Sequence, residues 1–353
     1  MPSLLPGRCS RFRKPEGDST MSQERRERRA GPAPEAKPFV WIPIPAQQVP
    51  RKAAAVGFEK FRNLTGRLNV SFVVESDYLY IGSGAFEFDP SAGSDRPDIW
   101  YTFYRRSGQI CVPGTSLKGS VRSIVEAITN SCVSQAANSE DVPNTHTRCP
   151  EDAKQVCFCC SLFGRTGWRG RVHFADALPE GIPQLEVVKI NDLWPPRKYE
   201  GRKFYSGTRV QRLGDKVPAK NHRFVEAVIK GSKFRTSIFF ENVAEEELGV
   251  VFHGLGWDVD ANGQLVSAMM PKVGGAKPRC FGRVRWTLPT IHLWQVQNAK
   301  LMPRPTEYSA QDALRFIINC LDKCKKANLL IAQTWNTLVQ QLRTESQCPR
   351  GLY

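Results

Sequence analysis

Two stretches of this chain hold residues whose types and spacing can do chemistry. The first is His146-x2-Cys149-x7-Cys157-x2-Cys160. An imidazole and three thiolates at this spacing supply the corners of a tetrahedral zinc site, and four protein ligands leave no position open for a substrate, so the predicted role of Zn2+ is structural. Cys159 or Cys132 can replace one of the four. His146 is the weakest member, because a histidine in a loop is often simply exposed. The second stretch is Val112-Pro-Gly-Thr-Ser-Leu-Lys-Gly-Ser-Val-Arg122. Pro113 and Gly114 bend the backbone, Thr115 and Ser116 can cap a helix, and Gly119 admits a close neighbour. The helix start then offers unpaired N–H groups, with Lys118 and Arg122 on one side: the makings of a phosphate cradle.

Periodicity supplies a scaffold for these groups. Gly66 to Tyr80 alternates with period two and reads as a strand, broken by Ile81-Gly-Ser-Gly84. A loop from Ala85 to Tyr104, carrying Asp89, Asp95 and Asp98, leads to an apolar strand at Gln109 to Val112. Leu117, Val121, Ile124, Val125 and Ile128 recur at helical spacing and predict a helix from about Ser116 to Ser131. Strands follow at Arg171 to Asp176, Arg223 to Ile229 and Lys233 to Glu241, then a helix opened by Asn242. Lys272 to Trp286 is a Gly-rich basic loop running into a strand, and a last helix spans Ser309 to Arg343 with a break near Lys325. Lys37 to Pro50 alternates apolar residues with Pro and reads as an extended segment packed on the domain. This order fits an α+β fold of ferredoxin-like (RRM-like) type with helices on one face.

Composition narrows the partner. Fifty Lys and Arg oppose 34 Asp and Glu, a formal charge of +16, alongside eight Trp and 19 Phe in 353 residues. That balance suits nucleic acid better than a small acidic metabolite. No apolar run approaches membrane-spanning length and no secretory signal is visible, so a cytoplasmic location and no membrane partner are expected. In a reducing compartment Cys9, Cys111, Cys280, Cys320, Cys324 and Cys348 read as ordinary thiols. Residues 1–37 are rich in Arg, Glu, Pro and Gly and read as a disordered basic tail, within which Met21 can be the natural start. Residues 38–300 then form the domain, with a cysteine-rich insertion at about 132–170 and a second insertion at about 190–223; residues 301–353 form a C-terminal helical segment. Arg197 to Arg223 holds nine Lys or Arg against two acids.

Five blocks together resemble the RAMP (repeat-associated mysterious protein) superfamily of CRISPR-associated proteins, and within it the Cas-seven-like backbone subunits of type III effector complexes. They are Ile81-Gly-Ser-Gly84; Val112 to Gly119 with Arg122; Cys157-Phe-Cys-Cys-Ser-Leu-Phe-Gly164 leading into Arg171 to Asp176; Gly231 to Phe234 with Phe240 to Asn242 and Glu246 to Gly249; and Gly274-Gly-Ala-Lys-Pro-Arg-Cys-Phe-Gly-Arg-Val-Arg285. Gly201-Arg-Lys-Phe-Tyr205 resembles the type III-D and III-E-like branch. Cys280 stands where the family more often has Gly.

The resemblance implies a subunit that holds guide RNA (crRNA) by its phosphates, through Ser116, Lys118 and Arg122, Arg165 and Arg169, and Lys277, Arg279, Arg283 and Arg285. It implies that Arg197 to Arg223, with Lys203 and Arg209, is a thumb pushed between bases of the guide and its complementary target RNA. Other CRISPR effector subunits are the implied protein partners. Where the family cleaves target RNA, an acid in the loop before the central helix aligns the ribose 2′-OH or holds Mg2+ or Mn2+; counting back from Pro113-Gly114 selects Asp98 first and Asp95 second. A non-catalytic scaffold or capping subunit, and a guide-processing endonuclease using His, are the alternatives.

Overall fold

The computed structural model describes residues 38–53, 57–135, 139–192, 200–207, 209–210, 213, 215–294, 304–343, 345 and 347–348. The chain divides into units Met1–Ala36 and Lys37–Tyr353. The expected basic tail, Cys9 and Met21 lie outside the described residues.

In chain order the principal elements are β1 (Phe39–Ile42), β2 (Leu64–Val74), β3 (Gly82–Phe88), β4 (Ile99–Phe103), α1 (Gly114–Ile128), α2 (Phe158–Phe163), β5 (Val172–Phe174), β6 (Leu185–Asn191), β7 (Arg202–Tyr205) and β8 (His222–Ile229). Then come β9 (Lys233–Val243), α3 (Glu245–Gly254), β10 (Val284–Trp286), β11 (Thr290–Trp294), β12 (Pro305–Glu307), α4 (Ala310–Lys326) and α5 (Ala332–Arg343). The fold is α+β. Its larger sheet runs β5-β9-β2-β11-β12, antiparallel throughout, with β10 joined to the far end of β2. Alternation explains the burial: Leu68, Val70, Phe72 and Val74 of β2 and Phe234, Ile238 and Phe240 of β9 all point to one face. Against that face lies α1, whose Leu117, Val121, Ile124, Val125 and Ile128 are all buried, with α3 beside it. Removing any of these side chains to Ala leaves a cavity costing about 2–5 kcal/mol.

The smaller sheet runs β6-β8-β4-β3, with β8 and β4 parallel at Val225 and Tyr101. Its inner residues Val188, Ile190, Val225 and Ala227 pack with Tyr78 on Ala276 and Phe281, so the sheet is seated on the Gly-rich turn. β1 pairs antiparallel with β7, Phe39 opposite Tyr205 and Trp41 opposite Lys203. Gly201, at φ +132°, enters β7 where any Cβ would overlap the Ile42 carbonyl.

Several expectations are corrected here. The segment Ala85 to Tyr104 is not a loop: β3 and β4 form a hairpin, Phe86 opposite Tyr101 and Phe88 opposite Ile99. Asn242 does not open α3, whose N-cap is Ala244. Instead Asn242 (φ 52°) accepts the Arg62 N–H at 2.8 Å and donates to the Gly57 and Lys60 carbonyls, pinning that segment to β9. The break expected near Lys325, by contrast, is present: α4 and α5 are separated at Ala327–Ile331, where Asn328 takes φ 52°. Both are held down by one polar knot: Asp258 accepts from Trp335 Nε1 at 2.7 Å and pairs with Lys325 at 2.6 Å, and Trp335 packs edge-on against buried His253. Finally, Cys280 and Cys348 are not free thiols but a disulfide, Cα atoms 5.9 Å apart.

Candidate nucleic-acid interface and metal centre

The phosphate-cradle reading of the α1 start changes in detail. Thr115 and Ser116 do not cap the helix, and no side chain of the N-cap residue Pro113 can. The Gly114 N–H instead donates 2.8 Å to Asp176 Oδ1, a carboxylate delivered from the end of β5. Gly114 lets this happen, since a Cβ there would overlap the Phe174 carbonyl. That N–H, followed by the paired Arg106, holds the Asp176 carboxyl below its usual range. A protein carboxylate therefore already occupies the positive end of the helix, and positive charge for a ligand must come from side chains.

Lys118 supplies it. The side chain lines a cavity of 490 Å3 between α1 and the β1–β7 ribbon, with Trp41, Thr115, Gly119, Lys203 and Phe204 on its walls. Burial first, then Arg122, push the Lys118 pKa down. Across the cavity, Lys203 Nζ lies 3.8 Å from the Phe39 ring centre, 5.2 Å from Tyr205 and 5.6 Å from Trp41, a cation–π arrangement that aligns the ammonium with an aromatic face. Lys203 thus belongs to a paired ribbon; residues 193–199, 208, 211, 212 and 214 of the expected thumb lie outside the described residues.

Arg122 shares the cavity but is committed elsewhere. It donates to Glu126 Oε1 at 2.8 Å, to the Gly164 carbonyl at 2.7 Å and to Cys160 Sγ at 3.4 Å. Glu126 also faces Arg202 at 3.4 Å, which in turn donates to the Ser131 carbonyl at 2.5 Å. Arg122 is therefore a strut between α1 and the cysteine segment.

That segment brings Cys132, Cys149, Cys157 and Cys160 together, their sulfurs within 4.8 Å of one another and all buried. The set can hold a metal ion. It differs from the sequence-derived set in one ligand: His146 is buried beside the cluster with both ring nitrogens engaged, Nδ1 3.0 Å from Thr145 Oγ1 and Nε2 2.9 Å from Asn130 Oδ1. Cys132 takes its place, while Cys159 stays out, its N–H bonded to Ser131 Oγ. Helix α2 presents two of the sulfurs because Cys157 is its N-cap and Cys160 lies one turn on. Backbone N–H groups of Cys157 and Cys160 point at Cys149 and Cys157 sulfurs, 3.3 and 3.5 Å, which favours thiolate. Hydrogen bonds from the other three thiols hold Cys149 far below the usual thiol range, and Cys132 first among its neighbours pulls Cys157 to about 7.

The remaining basic residues separate into two groups. Arg165 is spent on the carbonyls of Glu151, Ala153 and Thr166. Arg279 donates to the Asp192 carbonyl and Arg283 to the Arg343 carbonyl, both buried; burial also lowers the Lys277 pKa. By contrast Arg169 (with Glu241 at 2.7 Å, over Phe58), Arg209 (with Glu345 at 2.8 Å) and Arg285 (with Glu75 at 2.7 Å) keep exposed guanidinium groups in surface ion pairs. Such pairs yield readily to a phosphate. Ser116 is half-buried on α1, its N–H bonded to the Pro113 carbonyl.

Asp89 and Asp98 close the β3–β4 hairpin, the Asp89 N–H donating 2.8 Å to the Asp98 carbonyl. Asp89 is occupied: Ser91 donates to it twice, and Arg96 sits at 3.3 Å. Asp95 and Asp98 are exposed at the tip. Below them Phe86, Phe88, Ile99 and Tyr101 remain exposed on one face.

Sequence reasoning missed Asp176, Glu126, Arg202 and the Phe39–Trp41–Tyr205 cage. Apart from Glu126 with Arg122 on the same helix, each acts on a partner far away in sequence, and only the Phe-Val-Trp alternation of residues 39–41 is a readable sign of a paired strand.

Comparison with known proteins agrees with this architecture. A protein called CRISPR system Cms endoribonuclease Csm3, from Methanocaldococcus jannaschii, is 24% identical over 253 residues, covering 69% of this chain and 84% of the relative. The family model for the RAMP superfamily matches residues 72–285, from β2 through the Gly-rich turn to β10. That span takes in the smaller sheet, strands β5 and β9 of the larger one, the cysteine centre and α1, and the chain belongs to the RAMP superfamily.

Proposed function

We propose that the chain is a crRNA-binding subunit of a type III CRISPR effector complex, built on a ferredoxin-like domain, that grips the guide by its phosphates and cleaves paired target RNA. The observation that carries this is the cavity between α1 and the β1–β7 ribbon, where Lys118 and Lys203 face a groove walled by Trp41 and Phe204. Cations beside aromatic rings suit a single-stranded ribose-phosphate chain, because phosphates meet charge while any base offers a face to stack. The order β2-α1-β5-β9-α3-β11, with β5-β9-β2-β11 as neighbours, supports the ferredoxin-like assignment. Membership of the superfamily and the likeness to the Methanocaldococcus protein support the type III setting. Other effector subunits, guide and target RNA are the partners.

The phosphate contacts are Lys118 and Lys203, extended by Arg169, Arg209 and Arg285. Arg122, Arg165, Arg279 and Arg283 serve the fold in this conformation. Zn2+ on Cys132, Cys149, Cys157 and Cys160 is structural, since four buried sulfurs leave no open position.

For cleavage, Asp98 is the first candidate and Asp95 the second, both free of the contacts that tie Asp89. The carboxylate takes the proton of a ribose 2′-OH; the oxygen attacks the adjacent phosphorus in line; the 5′ oxygen leaves with a proton, giving a 2′,3′-cyclic phosphate. Mg2+ or Mn2+ supplies charge neutralisation at that phosphate. Among the described residues the cysteine set is the one cluster able to hold a metal. The second reading is a non-catalytic scaffold or capping subunit on the same frame. Assembled complex carrying Asp98→Ala or Asp95→Ala, assayed on complementary RNA with Mg2+, separates them. Loss of cutting in one variant assigns the acid; undiminished cutting in both removes this hairpin from the chemistry.

A further inference from the structure

The Gly-rich turn Gly274–Arg285 carries cations that the family pattern places on RNA, yet Arg279 and Arg283 are only 6% and 7% exposed. The cover is partly the chain's own C-terminal segment. Arg283 donates 3.3 Å to the Arg343 carbonyl, and Glu345 lies close enough to act on the same guanidinium while pairing with Arg209 at 2.8 Å. Gln347 bridges Arg209, and the Cys348 N–H donates 3.0 Å to the Arg209 carbonyl. The segment is then bonded to the turn itself through Cys280–Cys348, across 68 residues of sequence. Cys280 sits between Arg279 and Phe281 at φ 70°, on the bend of the turn. Of the described cysteines, the other eight are free.

We propose that Cys280–Cys348 is a reversible thiol–disulfide site that latches the C-terminal segment over the Gly-rich turn, and that its reduction by a small thiol releases the turn's cations to an RNA strand. This rests on the RNA-binding reading above. Both cysteines are buried, so the segment lifts first; a thiolate of the glutathione class then attacks one protein sulfur, giving a mixed disulfide and freeing the other Cys as thiolate. A second small thiolate then attacks the mixed disulfide, releasing the second Cys and forming the small-molecule disulfide. Two electrons and two protons pass from two small thiols to Cys280 and Cys348. Oxidation by the small disulfide runs the same steps backwards. Once the bond opens, the segment is held by an exposed ion pair and a few hydrogen bonds.

The test uses the full zinc-loaded chain and a fluorescent single-stranded RNA, after equilibration with oxidised or with reduced glutathione. Peptide mapping without reduction reports whether Cys280 and Cys348 are joined. Reduction is expected to tighten binding about ten-fold, the scale of one or two recovered charge-assisted contacts. Cys348→Ser is expected to bind as tightly as reduced wild type and to ignore glutathione; Cys280→Ser repeats the test if the first variant folds poorly. Equal affinity of joined and opened wild type overturns the latch and leaves the RNA reading intact. So does mapping that never finds the pair joined, or a loss of zinc that accounts for the change. No RNA binding in any state removes the RNA reading, and the latch with it.

Discussion

Replacing Cys132 by Ser tests the metal centre where sequence spacing and structure disagree. Four buried sulfurs lie within 4.8 Å of one another, so each provides one corner of a closed site. Structural zinc in small sites binds with roughly 10–16 kcal/mol, or about 3 kcal/mol per ligand, and losing one thiolate weakens affinity on the order of 100-fold. His146→Gln removes the ligand chosen from spacing. Its ring is bonded to Thr145 and Asn130, so that variant loses about 1–3 kcal/mol of stability through unpaired buried groups but keeps its metal. The assay is zinc per chain by competition with a chromophoric chelator, beside thermal unfolding with and without added zinc. Cys132→Ser is expected to release zinc at low chelator and to lose the zinc-dependent rise in Tm. A Cys132→Ser chain that holds zinc as tightly as wild type, with His146→Gln stripped, would refute the four-sulfur centre.

Further outcomes follow from the same geometry. Lys118→Ala and Lys203→Ala should each weaken single-stranded RNA binding and flatten the plot of log affinity against log salt by about 0.7, one phosphate contact for a single strand. Arg122→Ala, by contrast, should act on zinc retention, because Arg122 bonds Cys160 and Gly164. If cleavage is present, Asp98→Ala should lower it by about 10²–10⁴ without changing RNA affinity, read in single-turnover assays. Burial opposes ionisation of Asp258, but His253, Lys325 and Trp335 outweigh it and hold the carboxyl well below the usual carboxylate range. Its folded pKa is depressed, so this contribution is complete above the unfolded value of about 4 and is lost as pH falls below that through the folded pKa. Asp258→Asn should lower Tm at pH 7 and flatten the acid limb of the stability curve; an unchanged limb excludes that carboxylate.

The layered scaffold was legible because burial enforces periodicity: β2, β9 and α1 show it in their own residues. Asn242 was misread because a polar residue before three acids is a helix signal, whereas its left-handed backbone serves a distant segment. The β3–β4 hairpin was hidden by its exposure, since Phe86 and Phe88 alternate with Ala85 and Glu87, which are also exposed. Local spacing sufficed for three of the four clustered sulfurs, Cys149, Cys157 and Cys160. Where a partner lies far away the signal fades: Cys132 stood only as a substitute ligand, and Asp176 at the helix start and Cys348 beside Cys280 had no readable sign.

Arg122, Glu126 and Arg202 join three separate parts of the molecule through one carboxylate. A buried triad of this kind adds little to stability, yet neither arginine can withdraw without stranding its partner's charge. The spacing between α1 and the β1–β7 ribbon therefore works like a fixed caliper, and on the proposed RNA-binding reading a strand thicker than the gap would have to turn its bases aside instead of prying the jaws apart.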